Sequence, residues 1–214
     1  MLVISKKILE PRQFDGGDSL AKPIKWPACS LRTWLNNDFY EAAFTEEEKE
    51  GIVLTLIKTP DLDTEYETLY VDGTVEKAPV FIPGAKDTED RVFCLSVEEA
   101  EKYFFDDMDR IATISAAQQD LDYIAQIYGE MGWDQEDIDL YYSYTYGGIE
   151  LNKTLPMKWW LRQSHFNVTY VHQLGSVYYG SMTGDGDKLP DEAEGVRPAM
   201  WLKMDAVEID ITIE

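Results

Sequence analysis

The sequence predicts an α+β fold with a mainly antiparallel sheet, and three observations predict it. Helical apolar spacing recurs through the first two thirds of the chain, between Ser30 and Met131. β-like runs crowd the last third, from Leu140 to Ile213. The 214 residues are 44% hydrophobic, enough to fill a substantial core. The whole chain, 1–214, reads as one domain that opens directly on a core strand, as if strands of a longer parent preceded it.

The elements follow in order. Leu2 to Ser5 and Ile8-Leu9 are short β-like pieces, and Asp15-Gly16-Gly17-Asp18 is a turn. From Ser30, with Ser30 or Cys29 at the cap, Leu31, Trp34, Leu35 and Phe39 share one helical face, which Asn36-Asn37 weakens. Thr45 with Glu48 matches a capping box, in which hydroxyl and carboxylate satisfy each other's orphan amides; Gly51 keeps that helix short. Ile52 to Ile57 is a β-branched strand. Asp61 to Pro83 carries proline, glycine and scattered charge, and predicts a long connection with one short hairpin around Asp72-Gly73.

Arg91 to Leu95 predicts a strand, and Ser96 with Glu99 a second capping box. The helix it opens turns Val97, Ala100 and Phe104 inward and ends at Asp106-Asp107-Met108-Asp109. Leu121, Ile124, Ala125, Tyr128 and Met131 form another helical stripe, best explained as core. Leu140 to Tyr146, Trp159 to Arg162, Asn167 to Gln173, Ser176 to Met182, Gly195 to Lys203 and Val207 to Ile213 are β-like, with a hairpin turn at Leu174-Gly175.

Composition removes whole classes of partner. A net charge of -22 repels phosphate backbones and anionic lipid, so no nucleic-acid partner is expected. No run approaches the roughly 20 apolar residues of a membrane span, and the first residues lack the order of a signal peptide. No membrane insertion is expected, and the chain as given reads as cytoplasmic, or extracellular if it belongs to a longer exported protein. Cys29 and Cys94 are too few for a disulfide framework, and two histidines cannot supply a three-histidine metal site. The adjacent Ser164-His165 is not the geometry of a catalytic triad, and no Gly-rich phosphate loop occurs.

Four strings stand out: Ser30-Leu31-Arg32-Thr33-Trp34-Leu35-Asn36, then Asp90-Arg91-Val92-Phe93-Cys94-Leu95-Ser96, Trp159-Trp160-Leu161-Arg162, and Gly195-Val196-Arg197-Pro198-Ala199-Met200-Trp201-Leu202. Their order and spacing resemble an uncharacterised bacterial domain family across nearly the whole chain. That family is similar in turn to the C-type-lectin-like group, which includes the formylglycine-generating enzymes; the Gly-Phe-Arg closing strand of that group is similar to Gly195-Val196-Arg197 here. The resemblance implies a C-type-lectin-like sheet. Family members often continue Trp-Trp-Leu-Arg with Ser-Pro-Gly, whereas here Gln163-Ser164-His165-Phe166 follow, a departure in the next turn.

In the third and fourth strings an arginine sits inside an apolar run, and a buried guanidinium requires fixed partners. Trp159, Trp160, Arg162, Arg197 and Trp201 therefore read as a structural frame. Function is expected between them, from His165 to Glu194. There His165, Asn167, Tyr170, His172, Tyr178 and Tyr179 form an aromatic and polar surface suited to a carbohydrate or protein ligand, since rings supply apolar area and polar groups fix orientation. The competing reading packs one tyrosine face on the core. No cofactor is expected; the alternative is calcium on the acidic loop at Asp185, Asp187 and Asp191. The function expected is a non-catalytic ligand-binding or interaction module with an unknown carbohydrate or protein ligand. The alternative is an enzyme derived from the formylglycine-generating group with altered chemistry.

Overall fold

The computed structural model describes residues 1–15, 24–69, 75–113, 156–164, 168–173, 175–178 and 193–204. They form mixed helices and antiparallel-rich sheets, an α+β fold. The central sheet is built on β7 (Trp159–Ser164), whose first five residues are large. β8 (Val168–Val171) pairs antiparallel to it, placing Trp160 opposite Tyr170, and β9 (Val177–Tyr178) continues the sheet with Tyr178 opposite Tyr170. On the other side β10 (Ala193–Gly195) lies parallel to β7, with Gly195 opposite Trp159, and β2 (Pro11–Gln13) forms the edge. A second pair joins the ends of the described chain: β1 (Leu2–Ile4) runs antiparallel to β11 (Ala199–Trp201).

Successive strand residues point to opposite faces, so Trp159 and Trp160 enter two different layers of core. Both are fully buried, so both faces of the sheet are covered there. On the Trp160 face an aromatic row crosses the sheet. Phe14 meets Trp160 edge-on at 6.0 Å, Trp160 meets Tyr170 edge-on at 6.4 Å, and Tyr170 stacks on Tyr178 at 4.9 Å. Each such pair contributes about 0.5–1.5 kcal/mol beyond the area it buries. On the Trp159 face Phe104 packs at 6.2 Å, brought there by the short helices α4 (Val97–Tyr103) and α5 (Asp107–Arg110).

Both capping boxes form as the sequence predicts. Thr45 and Glu48 open α3 (Glu46–Gly51), and Ser96 and Glu99 open α4, each with its two reciprocal hydrogen bonds. The Ser30 helix begins as α1 (Ser30–Trp34), with the Cys29 sulfur accepting from the Arg32 amide. Leu35–Phe39 then widens into a π turn before α2 (Tyr40–Ala43). The π turn falls at Asn36-Asn37, where the sequence predicts a weakened helix. The Asn36 side chain there donates to the Arg32 carbonyl at 3.1 Å and the Val92 carbonyl at 2.8 Å.

The first two thirds hold more strand than the spacing predicts. Asp61 to Pro83 is not a long connection. β4 (Leu62–Leu69) and β5 (Val75–Ile82) pair antiparallel over eight positions, and the turn expected at Asp72-Gly73 lies outside the described residues. β3 (Thr55–Thr59) and β6 (Ala85–Asp90) pair below it. Leu62, Thr64, Tyr66 and Thr68 alternate with Asp63, Glu65 and Glu67, so what reads as scattered charge is the period-two pattern of a strand. Arg91 to Leu95 is not a regular strand; Phe93 alone bridges to Ala199. Asp106 does not end a helix but starts α5, its carboxylate accepting from the Asp109 amide at 3.1 Å. The stripe from Leu121 to Met131 and the runs Leu140–Tyr146 and Val207–Ile213 lie outside the described residues.

Candidate functional site

The four strings hold one another. Arg32 donates from Nε to the Asp90 carboxylate at 2.7 Å, and Asp90, fully buried, also accepts from Trp26 Nε1 at 2.9 Å and from the Thr88 hydroxyl at 2.7 Å. The Asn36 side-chain oxygen Oδ1 accepts from the Arg91 amide at 2.8 Å. The first string thereby clasps the second. Phe93 and Ala199 exchange backbone hydrogen bonds at 2.9 and 2.8 Å, which joins the second string to the fourth.

Arg162 and Arg197 are 2% and 4% exposed, buried and partnered as an apolar run demands. Arg162 donates to the Cys94 carbonyl at 3.0 Å and the Lys58 carbonyl at 2.7 Å, and pairs with the Glu99 carboxylate. Arg197 donates to the carbonyls of Ser5 at 3.0 Å and Arg110 at 3.3 Å, and lies over the rings of Trp159 and Phe104 at 4.7 and 5.2 Å. Burial lowers its pKa to about 10, still well above neutrality. A third buried arginine escapes any reading of the sequence, because it stands in no apolar run. Arg110 donates to the Gly175 carbonyl at 2.8 Å and pairs with Asp107, while its own carbonyl accepts from Trp159 Nε1 at 3.0 Å.

The hairpin expected to present a ligand surface is present in part. Gly175 turns it with φ at +88°, a conformation L side chains rarely adopt, and a Cβ there would collide with the Asp107 carbonyl. Tyr170 is 2% exposed, held between Trp160 and Tyr178, so it has no surface to offer a ligand; the competing core reading describes it. His172 and Tyr178 are partly exposed. Burial brings the His172 imidazole down to about 4, with the Lys158 ammonium adding to the shift, so it is neutral at pH 7. Lys158 Nζ also lies 5.4 Å from the centre of the Tyr170 ring. His165, Asn167 and Tyr179, and the acidic loop at Asp185, Asp187 and Asp191, lie outside the described residues.

A groove of about 520 Å3 opens at the opposite edge of the central sheet, between β2 and α1. Arg12, Asp15, Ser30, Thr33, Trp34 and Asp38 contribute to its wall. The Arg12 guanidinium lies 3.8 Å from the centre of the Trp34 ring and donates from Nε to Glu10 at 2.7 Å. No pattern announces this site: Arg12 stands alone between Pro11 and Gln13, and Trp34 reads as part of a core stripe.

Neither cysteine is poised for thiolate chemistry. Both are fully buried, and desolvation pushes the Cys29 thiol up to about 12 and Cys94 higher still. Among the described residues no three His, Cys, Asp or Glu side chains are grouped to hold a metal ion, and no helix is long and apolar enough to cross a membrane. No curated protein and no solved structure matches the chain. A family model does match, over residues 1–204, a span that contains all four interlocking strings, and the chain belongs to that family: DUF6273, a domain of unknown function.

Proposed function

We propose that this domain is a non-catalytic ligand-binding or interaction module, on a C-type-lectin-like sheet, with a carbohydrate or protein ligand. The observation that carries the proposal is the division of labour among its distinctive residues. The motif side chains Trp159, Trp160, Arg162 and Arg197 are engaged in the interior, whereas the partly exposed aromatic and polar groups gather at the two edges of the central sheet, at Tyr178 and His172 and at the Arg12 groove. Mixed polar and aromatic walls suit recognition, because rings exclude water and polar groups fix orientation. Support for the lectin-like reading comes from Gly195-Val196-Arg197 leaving β10 beside β7. A Cβ at Gly195 would meet the Lys158 backbone carbonyl at 2.7 Å and the Ile8 side chain at 2.8 Å, so the string requires glycine for close packing.

The alternative, an enzyme derived from the formylglycine-generating group, draws on one observation, the neutral imidazole of His172. The cysteine chemistry of that group needs reactive thiolates, and desolvation of Cys29 and Cys94 works against them. Screening the whole chain on a glycan array tests the binding reading. Bound glycans support it, and a blank array limits the ligand to protein. For the acidic loop, a rise in melting temperature on adding calcium is the expected result of a site, and an unchanged one removes it.

A further inference from the structure

We infer that the groove between β2 and α1 is a binding site for a neutral, polyhydroxylated ligand, a saccharide. This rests on the binding reading above but places the ligand on the opposite edge of the sheet from the predicted hairpin. Three groups in the groove are chemically open, and two of them, on Arg12 and Trp34, are held in place. Glu10 and the Trp34 ring fix the Arg12 guanidinium from its Nε side and one face, and its backbone carbonyl accepts from Trp160 Nε1 at 2.6 Å. Among the described residues Nη1 and Nη2 of Arg12, the Trp34 indole N–H and the Asp38 carboxylate have no hydrogen-bond partner.

The groove thus opposes donors held in place, on Arg12 and Trp34, to an exposed acceptor, on Asp38. A hydroxyl both donates and accepts, so vicinal hydroxyls answer such a wall with one kind of group. Anionic ligands are disfavoured by Asp15 and Asp38 and by the charge of -22 on the chain, and the Arg12 charge is already met by Glu10. A cation would have to approach the guanidinium. The Trp34 ring carries Arg12 on one face and Phe39 tilted at 5.1 Å nearby, so recognition here works through hydrogen bonds at the ring's edge rather than stacking on its face. At about 520 Å3 the groove lies within the usual range for small-ligand sites of about 300–1,000 Å3.

The test is a neutral-oligosaccharide array, followed by calorimetric titration of the best hit into the wild-type chain and into the variants Arg12→Met, Asp38→Asn and His172→Gln. Each keeps the fold, checked by circular dichroism and melting temperature, because the Arg12 backbone contact to Trp160 survives and Asp38 and His172 are not core. The expected result is a neutral glycan whose affinity falls at least tenfold with Arg12→Met and with Asp38→Asn and is unchanged by His172→Gln. A glycan that loses affinity only with His172→Gln overturns the groove and leaves the binding reading standing. An array with no neutral hit, or binding confined to sialylated or other anionic glycans, overturns the ligand class.

Discussion

Arg162 and Arg197 occupy equivalent settings in the sequence and opposite ones in the structure. Each is an arginine in an apolar run, and each is at least 96% buried. Arg162 is neutralised by a carboxylate, Glu99, which also closes the capping box of α4 by accepting from the Ser96 amide at 2.9 Å. Among the described residues no carboxylate reaches Arg197. Two carbonyl dipoles and two aromatic faces hold it instead. The difference teaches that a buried charge can be met by an ion pair that couples two elements, or by a polar and aromatic box that tolerates the charge without a counter-ion. Removing the cation should therefore cost more in the first setting, where it strands a carboxylate.

The largest expected effect tests the first half of that comparison. Arg162→Met leaves the Cys94 and Lys58 carbonyls without their guanidinium donor and Glu99 with the Ser96 amide but no counter-ion, and is expected to destabilise the fold by about 3–5 kcal/mol, read as a shifted urea midpoint at constant slope. Next comes Gly175→Ala, which attacks the Arg197 box from its floor. A side chain at φ +88° against Asp107 displaces the turn that Arg110 grips, at an expected cost of about 2–4 kcal/mol. Arg197→Met should cost less, about 1–2 kcal/mol, since it frees two carbonyls but also removes a desolvated cation. If Arg197→Met proves as damaging as Arg162→Met, the box depends on its charge and the comparison collapses.

The smallest effect is a pH dependence away from both arginines. The His172 pKa lies near 4 in the fold and near 6.5 when unfolded, so between those values the unfolded chain binds a proton that the native chain does not. Stability then falls as the pH drops from 6.5 towards 4. His172 is partly exposed, so solvent screening reduces the effect, and replacing it with glutamine should remove at most about 1 kcal/mol of the loss between pH 7 and pH 5. Equal pH profiles for the variant and the wild type would show that the imidazole is solvated.

Local chemistry was largely legible before any coordinates. Both capping boxes, the Ser30 helix with its weak point at Asn36, the Leu174-Gly175 hairpin and the α+β character follow from short-range rules that act within a turn or a strand. The hairpin from Leu62 to Ile82 was missed because its proline, glycine and alternating charges read as a solvated connection, although the alternation is itself the period of a strand. Arg110 and Asp90 were missed for a different reason. Apart from Asp107 and Thr88, their partners lie 49 to 87 and 58 to 64 residues away, and no local pattern records such distances. The groove at Arg12 belongs with them, since its wall comes from β2, α1 and the π turn.

The sequence by itself determined that two arginines must be buried with partners, because an apolar run cannot hold a bare guanidinium. It also determined that the first string is helical and the third and fourth are not. Only the tertiary structure decided that Arg162 meets a carboxylate while Arg197 meets rings and carbonyls, and that Tyr170 is core while Trp34 stands at the edge of a groove. Burial pattern is a property of neighbours along the chain, whereas the identity of a partner depends on which distant segments the sheet brings together.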